Sequence, residues 1–544
     1  MHTIAQINEC LGAVLERLLP RILTQASRDP NSATYGSFDR DWWHYRIRDF
    51  SSSILQQAAW TVWLAADLPR WTGAREPLAQ LAAAGCRFWN ARAIRFGAFE
   101  EYYPWERGYP AAAFSTRAVL ELVAAGVVAA ADVRAGAVAA ARQLVRRFER
   151  EAANQQVAGL AALARIRNIY PDLVTADAFE AQAQKTLALQ QAEGWFAEYG
   201  GPDLAYLSVT LDALWDLFDA TGDARFRAAA ARVLPFLHAC VAAAGASLGM
   251  LNARNTDYIL PYGLVRFLRD GDAGERARAA WLFATLYGPM DQPDHFLHAV
   301  DDRYLCHYTG HSLLRAWSLV RRLDAVSLSA PPPAPADESL LPAAGYFLRP
   351  ASPSEYAVAL ALNKGGVFTA VLRERRISDF GWVVHAGGRQ CVTHWWAGDG
   401  AWQRAGQTFT VRGQLMPHRE TISSPWKHAA LRAASLALGE QLMPRLKALL
   451  IFKRRRSPYT FERQIALEPC RIVVRDALAG LPADARVEPA PRSSKRHVSS
   501  ADSFHCEDLR LATGVAIERK TQRAGRTFTA ETVYTFERGT EERG

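Results

Sequence analysis

The chain carries two hydrophobic periods, one after the other. Up to about residue 325, apolar residues recur every three or four positions, the mark of helices with one buried face. The pattern predicts about twelve helices, near 5–25, 50–67, 75–93, 110–125, 130–149, 154–167, 175–192, 204–221, 224–244, 256–269, 274–287 and 305–322. Short connections make neighbours antiparallel. Helix pairs at roughly 40- to 50-residue spacing suggest a curved array or a closed toroid. Then comes SLSAPPPAPA (327–336), a stiff proline-rich linker. Beyond it the period falls to two. EYAVALAL, VFTAVLR, GWVVHA, QCVTHWW and QTFTVRG, then YTFERQIAL, CRIVVRDAL and FTAETVYTFE, read as short strands. Many short strands indicate a β-sandwich.

The expected fold is therefore α+β and multidomain. Residues 1–325 form an α/α toroid, 326–341 a linker, and 342–544 an antiparallel β-sandwich. One insertion, residues 428–456, reads as an amphipathic helix pair with a basic end. The expectation is that it covers one side of a sheet; the alternative is a place on a membrane surface. From Leu481 the chain is polar, and a long loop is expected.

The stretch Glu193–Phe218 joins a glycine-rich aromatic loop to a helix. Asp203 stands where a side-chain oxygen caps free backbone N–H groups. Tyr206 then falls in the first helical turn, beside the loop, where a polar ring can face a cleft or simply pack.

Composition narrows the class. With 544 residues the chain exceeds one ordinary core, and 49% hydrophobic with 22% charged residues is a globular balance. The seven cysteines include no C-x-x-C pair, so neither a disulfide framework nor a zinc site is expected. The N-terminus lacks a basic region ahead of an apolar core, so it reads as an amphipathic helix. A cytoplasmic location is the default, with export by another route left open. No apolar run reaches the ~20 residues of a membrane span. The net charge of +9 suits an acidic partner, which charge alone does not choose.

Four polar-aromatic clusters carry candidate chemistry. In residues 39–50, Arg46 and Arg48 suit a carboxylate or sulfate, and Trp42 and Trp43 suit sugar faces. Residues 100–107 offer Tyr102, Tyr103 and Glu106. Residues 252–258 offer Arg254 and Tyr258. Residues 301–311 offer Arg303 and His307. His307 and His311 share a helix face, but no third ligand accompanies them, so no metal is expected. Asn154 opens a helix, where asparagine is an ordinary cap. No phosphate loop, dinucleotide fingerprint or nucleophile elbow is present.

The motifs DRDWWHYRIRDF (39–50), EGWFAEYGGPDLAY (193–206), RNTDY (254–258), DDRYLCHY (301–308) and SDFGWVVHAGGRQCVTHWW (378–396) resemble, in that order, the heparinase II/III-like family. The likeness is to members from bacterial surface-polysaccharide gene clusters. It implies a lyase that cleaves a uronate-containing glycan by β-elimination, without a cofactor. The family uses an Asn-His pair, a tyrosine on a later helix and a histidine from the β domain. Asn154 matches the asparagine and Tyr206 the tyrosine. Gln155 and Leu207 stand where the family often has histidine. Arg254, Arg303, His385 and His394 are candidates for the cation beside Tyr206, with His394 carried as the catalytic histidine. The resemblance implies an acidic polysaccharide as partner and no nucleic acid; it does not set the oligomeric state. Two other readings compete. A glycoside hydrolase would draw two carboxylates from Glu106, Asp203 and Asp257. A glycan-binding protein would keep the cleft without chemistry.

Overall fold

The computed structural model describes residues 3–245, 249, 251–254, 256, 258–293, 295–324, 338–352, 355–372, 375–395, 401–418, 423–450, 456–491 and 515–536. Asp257, Trp396, the whole proline-rich stretch 327–336 and most of the expected loop after Leu481 lie outside them.

Among the described residues, the helices of eight or more residues in the helical half form two sets of six. One set is α1 (Ala58–Ala65), α2 (Tyr109–Ala124), α3 (Ala153–Ile169), α4 (Leu204–Thr221), α5 (Tyr262–Asp270) and α6 (Gly310–Val320). Each packs on its successor, and α6 returns to α1. Helices 75–88, 130–146, 176–187, 224–244, 273–287 and 4–25 back them in turn. The sequence explains the division. Along α3 and α4 nearly every residue is buried, whereas 176–187 buries only Phe179, Gln182, Ala183 and Thr186. A helix apolar all round belongs inside, and one with an apolar stripe belongs outside. Helix Ala224–Ala244 is long and apolar enough to cross a membrane by length and composition. Here it packs between α4, helix 273–287 and the first strands of the β half.

Among the described residues all strand pairs in the second half are antiparallel. The first sheet runs in chain order: 339–341, 346–349, 357–361, 367–372 and 375–379. Its alternation explains how the halves join. Tyr346, Leu348, Ala359 and Ala361 belong to the core of the helical half, while Phe347, Val358 and Leu360 belong to the core between the sheets. Successive side chains point to opposite faces, so a strand buried on both sides reads as continuously apolar. Phe236 stacks on Tyr346 with ring centroids 6.3 Å apart.

Three expectations need correction. Residues 339–341, taken as linker, form an edge strand paired with 346–348, because Leu340 and Leu341 suit the sheet. Residues 486–489, taken as loop, pair with 382–385. The inserted helix pair, α7 (Pro425–Leu438) and α8 (Leu442–Leu450), does not cover a sheet. It crosses to the helical half. Arg432 holds Asp49 through two bonds of 2.8 and 2.9 Å, and the Ser435 hydroxyl donates to the Pro104 carbonyl at 2.9 Å. Lys447 bonds Glu149 at 2.7 Å. Its polar groups find partners on the helical half that a sheet face would not supply.

Candidate functional site: a phenol-lined cavity under a helical cover

A cavity of about 800 Å³ opens among the loops at one end of the helical half. Its walls come from the start of α3 (Asn154, Gln155), the loop before α4 and its first turn (Tyr199, Tyr206), Arg254, and Tyr304, His307 and Tyr308. The loop 101–106 and the covering helices α7 and α8 complete it.

Local chemistry fixes these walls. The Asp203 carboxylate caps α4 by accepting the Tyr206 N–H at 3.2 Å, and its other oxygen accepts the Arg254 N–H at 3.0 Å. One side chain thus ties the tyrosine turn to the arginine loop. Burial raises the Asp203 carboxyl to about 6. Asn252 reinforces the tie by accepting the Leu204 N–H at 3.0 Å, and its own carbonyl accepts Lys364 of the β half at 2.7 Å. The Glu198 carboxylate accepts the Asn154 N–H at 2.6 Å, where the first turn of α3 has unpaired donors. Tyr199 (φ 54°), Trp105 (φ 61°) and Arg107 (φ 49°) hold left-handed backbone, which costs about 1–3 kcal/mol each. The surrounding packing sustains that strain in the loops around the cavity.

Arg254 lies over two phenol rings, 4.5 Å from the centroid of Tyr199 and 4.8 Å from that of Tyr206. Burial pushes the Tyr206 phenol well above its ordinary range, and Arg254 only partly opposes it. The resting phenol therefore carries its proton. Tyr258 and Tyr308 share a hydrogen bond of 2.9 Å between hydroxyls. His307 sits where helical backbone breaks, at φ −88° and ψ −160°. Burial, then Arg303, lowers its imidazole to about 3, so it is neutral. Its Nε2 has no hydrogen-bond partner among the described residues.

The carboxyls behave unlike surface acids. Burial, then the charge of Glu101, raises Glu106 to about 8. Burial also raises Glu101 and takes Glu198 to about 8. At neutral pH Glu106 and Glu198 are largely protonated, while Arg254 and Lys447 keep their charge. The cavity is more positive than its residue count suggests.

Of the residues expected from sequence, Tyr206, Asn154, Gln155, Arg254, His307, Tyr102, Tyr103 and Glu106 line this one cavity. The cluster 39–50 does not. Trp42 packs on Phe88, and the Trp43 indole donates to the Gln25 carbonyl at 2.8 Å. Arg46 is exposed, and Arg48 is spent on Asp39 at 2.5 Å. Arg48 instead braces the loop above it, reaching the Glu101 carbonyl at 3.4 Å. None of these four side chains lines the cavity. Tyr258, Arg303 and His394 are not among the lining residues; Tyr258 bonds the lining Tyr308, and His394 is buried against Phe380. His385 lies in a strand 3.8 Å from Glu488. Sequence reasoning passed over Tyr199, Tyr304 and Tyr308, which stood in the quoted motifs, and Glu101, which stood in the 100–107 cluster. It missed the contribution of α7 and α8 altogether. Among the described residues no group of three or more His, Cys, Asp or Glu side chains is placed to hold a metal ion.

A scan against protein-family models finds no match to the chain, and a search of curated proteins by sequence finds none either. Solved structures do match. Chondroitin AC lyase of Streptomyces coelicolor A3, seen with chondroitin sulphate, aligns with a TM-score of 0.53 at 13% identity, covering 97% of this chain and 77% of that one. Paenibacillus xanthan lyase aligns with a TM-score of 0.52 at 10% identity, over 99% of this chain and 57% of that one. Heparinase III gives 0.48 at 10% identity, over 92% and 77%. The fold is that of polysaccharide lyases: a helical domain followed by an antiparallel β domain. At these identities the likeness is one of fold.

Proposed function

We propose that the protein is a polysaccharide lyase acting on an acidic, uronate-containing glycan. The observation that carries the proposal is the meeting of Tyr206, Arg254, Asn154 and His307 in one cavity. β-Elimination needs a cation or donors for the uronate carboxylate, a base for the proton beside it, and an acid for the leaving oxygen. In this reading Arg254 and Asn154 take the carboxylate. The neutral imidazole of His307 receives the proton from C5, and an arriving carboxylate strengthens it as a base. The C4–O bond breaks as a C4=C5 double bond forms. The Tyr206 phenol gives its proton to the departing oxygen. The cycle closes when water carries a proton from His307 back to Tyr206. The protonated state of Tyr206 favours this acid role over that of an initial base. The cations around largely protonated carboxyls support an anionic substrate.

The test is incubation with a panel of uronate polysaccharides. The expected product is an unsaturated uronate, read by its ultraviolet absorbance, and lost in His307→Gln. New reducing ends without that absorbance would instead favour hydrolysis through the Glu101–Glu106 pair. Binding without either product would favour a glycan-binding protein.

A further inference from the structure

Helix α7 shows two unlike faces. Lys427, His428 and Leu431 line the cavity, and Ser435 bonds the loop beneath. The other face carries Trp426, Ala429, Ala430, Ala433, Leu436 and Ala437, all exposed. At 3.6 residues per turn these six fall within an arc of about 120°. Trp426 is 84% exposed and Leu436 67%. An apolar stripe of this width normally faces a core; this one faces solvent.

The stripe has company. Among the described residues seven large hydrophobic side chains are exposed, and only Ile517 lies elsewhere. Tyr45 and Ile47 precede Asp49, which Arg432 of α7 grips. Tyr102 precedes Pro104, which Ser435 of α7 grips. Phe96 follows Arg95, whose charge with that of Arg432 lowers the Asp49 carboxyl. Three loops and one helix thus gather their exposed apolar groups around the cavity mouth.

We propose that this surface docks on an anionic lipid bilayer. Charge is the first reason. Lys427 and Arg445 of the covering helices are exposed, as is Arg46 between Tyr45 and Ile47, while Arg432 and Lys447 are held by Asp49 and Glu149. Basic residues beside an apolar stripe with tryptophan are what an interfacial helix needs. Shape of the groups is the second. Ile47, Leu436 and the alanines offer no ring face for a sugar. A second copy of the chain is disfavoured because a two-fold contact would set these cations against themselves. Docking would place the cavity mouth at the lipid surface.

The proposal stands apart from the lyase reading and is tested without an activity assay. The full chain is sedimented with vesicles of phosphatidylcholine plus phosphatidylglycerol, and with phosphatidylcholine alone. Binding is expected to the anionic vesicles and to weaken in high salt. The pair Trp426→Ser and Leu436→Ser should lower partitioning by about ten-fold or more, with an unchanged circular dichroism spectrum. Trp426→Phe is the second variant. It keeps the stripe apolar and should bind as the parent does, but lose the fluorescence quenched by brominated acyl chains. Absence of binding to anionic vesicles overturns the proposal. So does binding indifferent to the serine pair, or a concentration-dependent dimer that the pair abolishes in the absence of vesicle binding.

Discussion

The Arg254 guanidinium lies over the face of the Tyr206 ring, 4.8 Å from its centroid. The contact is with the ring and not with the transferable proton. Tyr206→Phe therefore keeps the cation–π contact and removes only the acid. Turnover on the true substrate should fall ~10²-fold or more, the typical worth of a positioned proton donor. The unfolding midpoint should barely move. A Phe variant with parental turnover, measured by product absorbance, would remove Tyr206 from the mechanism.

Glu198 predicts a pH effect on stability. Burial takes its carboxyl from an ordinary 4.5 to about 8, against the opposing bonds from Asn154. Between those values the folded protein holds a proton that the unfolded chain has lost. Its contribution is thus full below about 4.5, falls as pH rises through that window, and is gone above about 8. Glu198→Gln cannot ionise. Its stability relative to the parent should grow from pH 5 to pH 8 by ~1–3 kcal/mol, measured by denaturant unfolding. A difference independent of pH contradicts this.

Lys447 and Glu149, bonded at 2.7 Å with side chains only 9% and 10% exposed, join the cover to the helical half. Lys447→Met strands a buried carboxylate and should cost ~3 kcal/mol. Adding Glu149→Leu should recover most of it, since the loss comes from the unpaired charge and not from the missing bond. A cost below ~1 kcal/mol for the single change would mean that the cover stands open in solution.

Gly159 in α3 lies against Tyr109, a cavity residue; a Cβ there would meet the phenol oxygen at 2.5 Å. Tyr109 donates to Gln156 at 2.8 Å, so the ring cannot move freely. Gly159→Ala should destabilise by about 1–3 kcal/mol, despite the better helix propensity of alanine. A gain in unfolding midpoint would show that the wall yields.

The sequence by itself determined the elements. Periodicity placed α4 at 204–221 and the helix 224–244 at their observed ends, because Asp203, Gly222, Asp223 and Gly245 are local stop and start signals. It also separated the helical half from the stranded half, and it brought Tyr206, Asn154 and Arg254 forward through motifs that survive as motifs. The tertiary structure decided which polar groups are free to act. Arg48 and Arg254 look alike in sequence; one is neutralised by Asp39, and the other stands over two phenols. Glu106 and Glu198 become protonated at neutral pH, and the Glu101 carboxyl is pushed up, only because the fold buries them. Amphipathicity located α7 and α8 but could not say what they cover. Their partners, Asp49, Pro104 and Glu149, lie some 300 to 380 residues earlier. Local periodicity carries no record of contacts across that distance; only the closed fold supplies them.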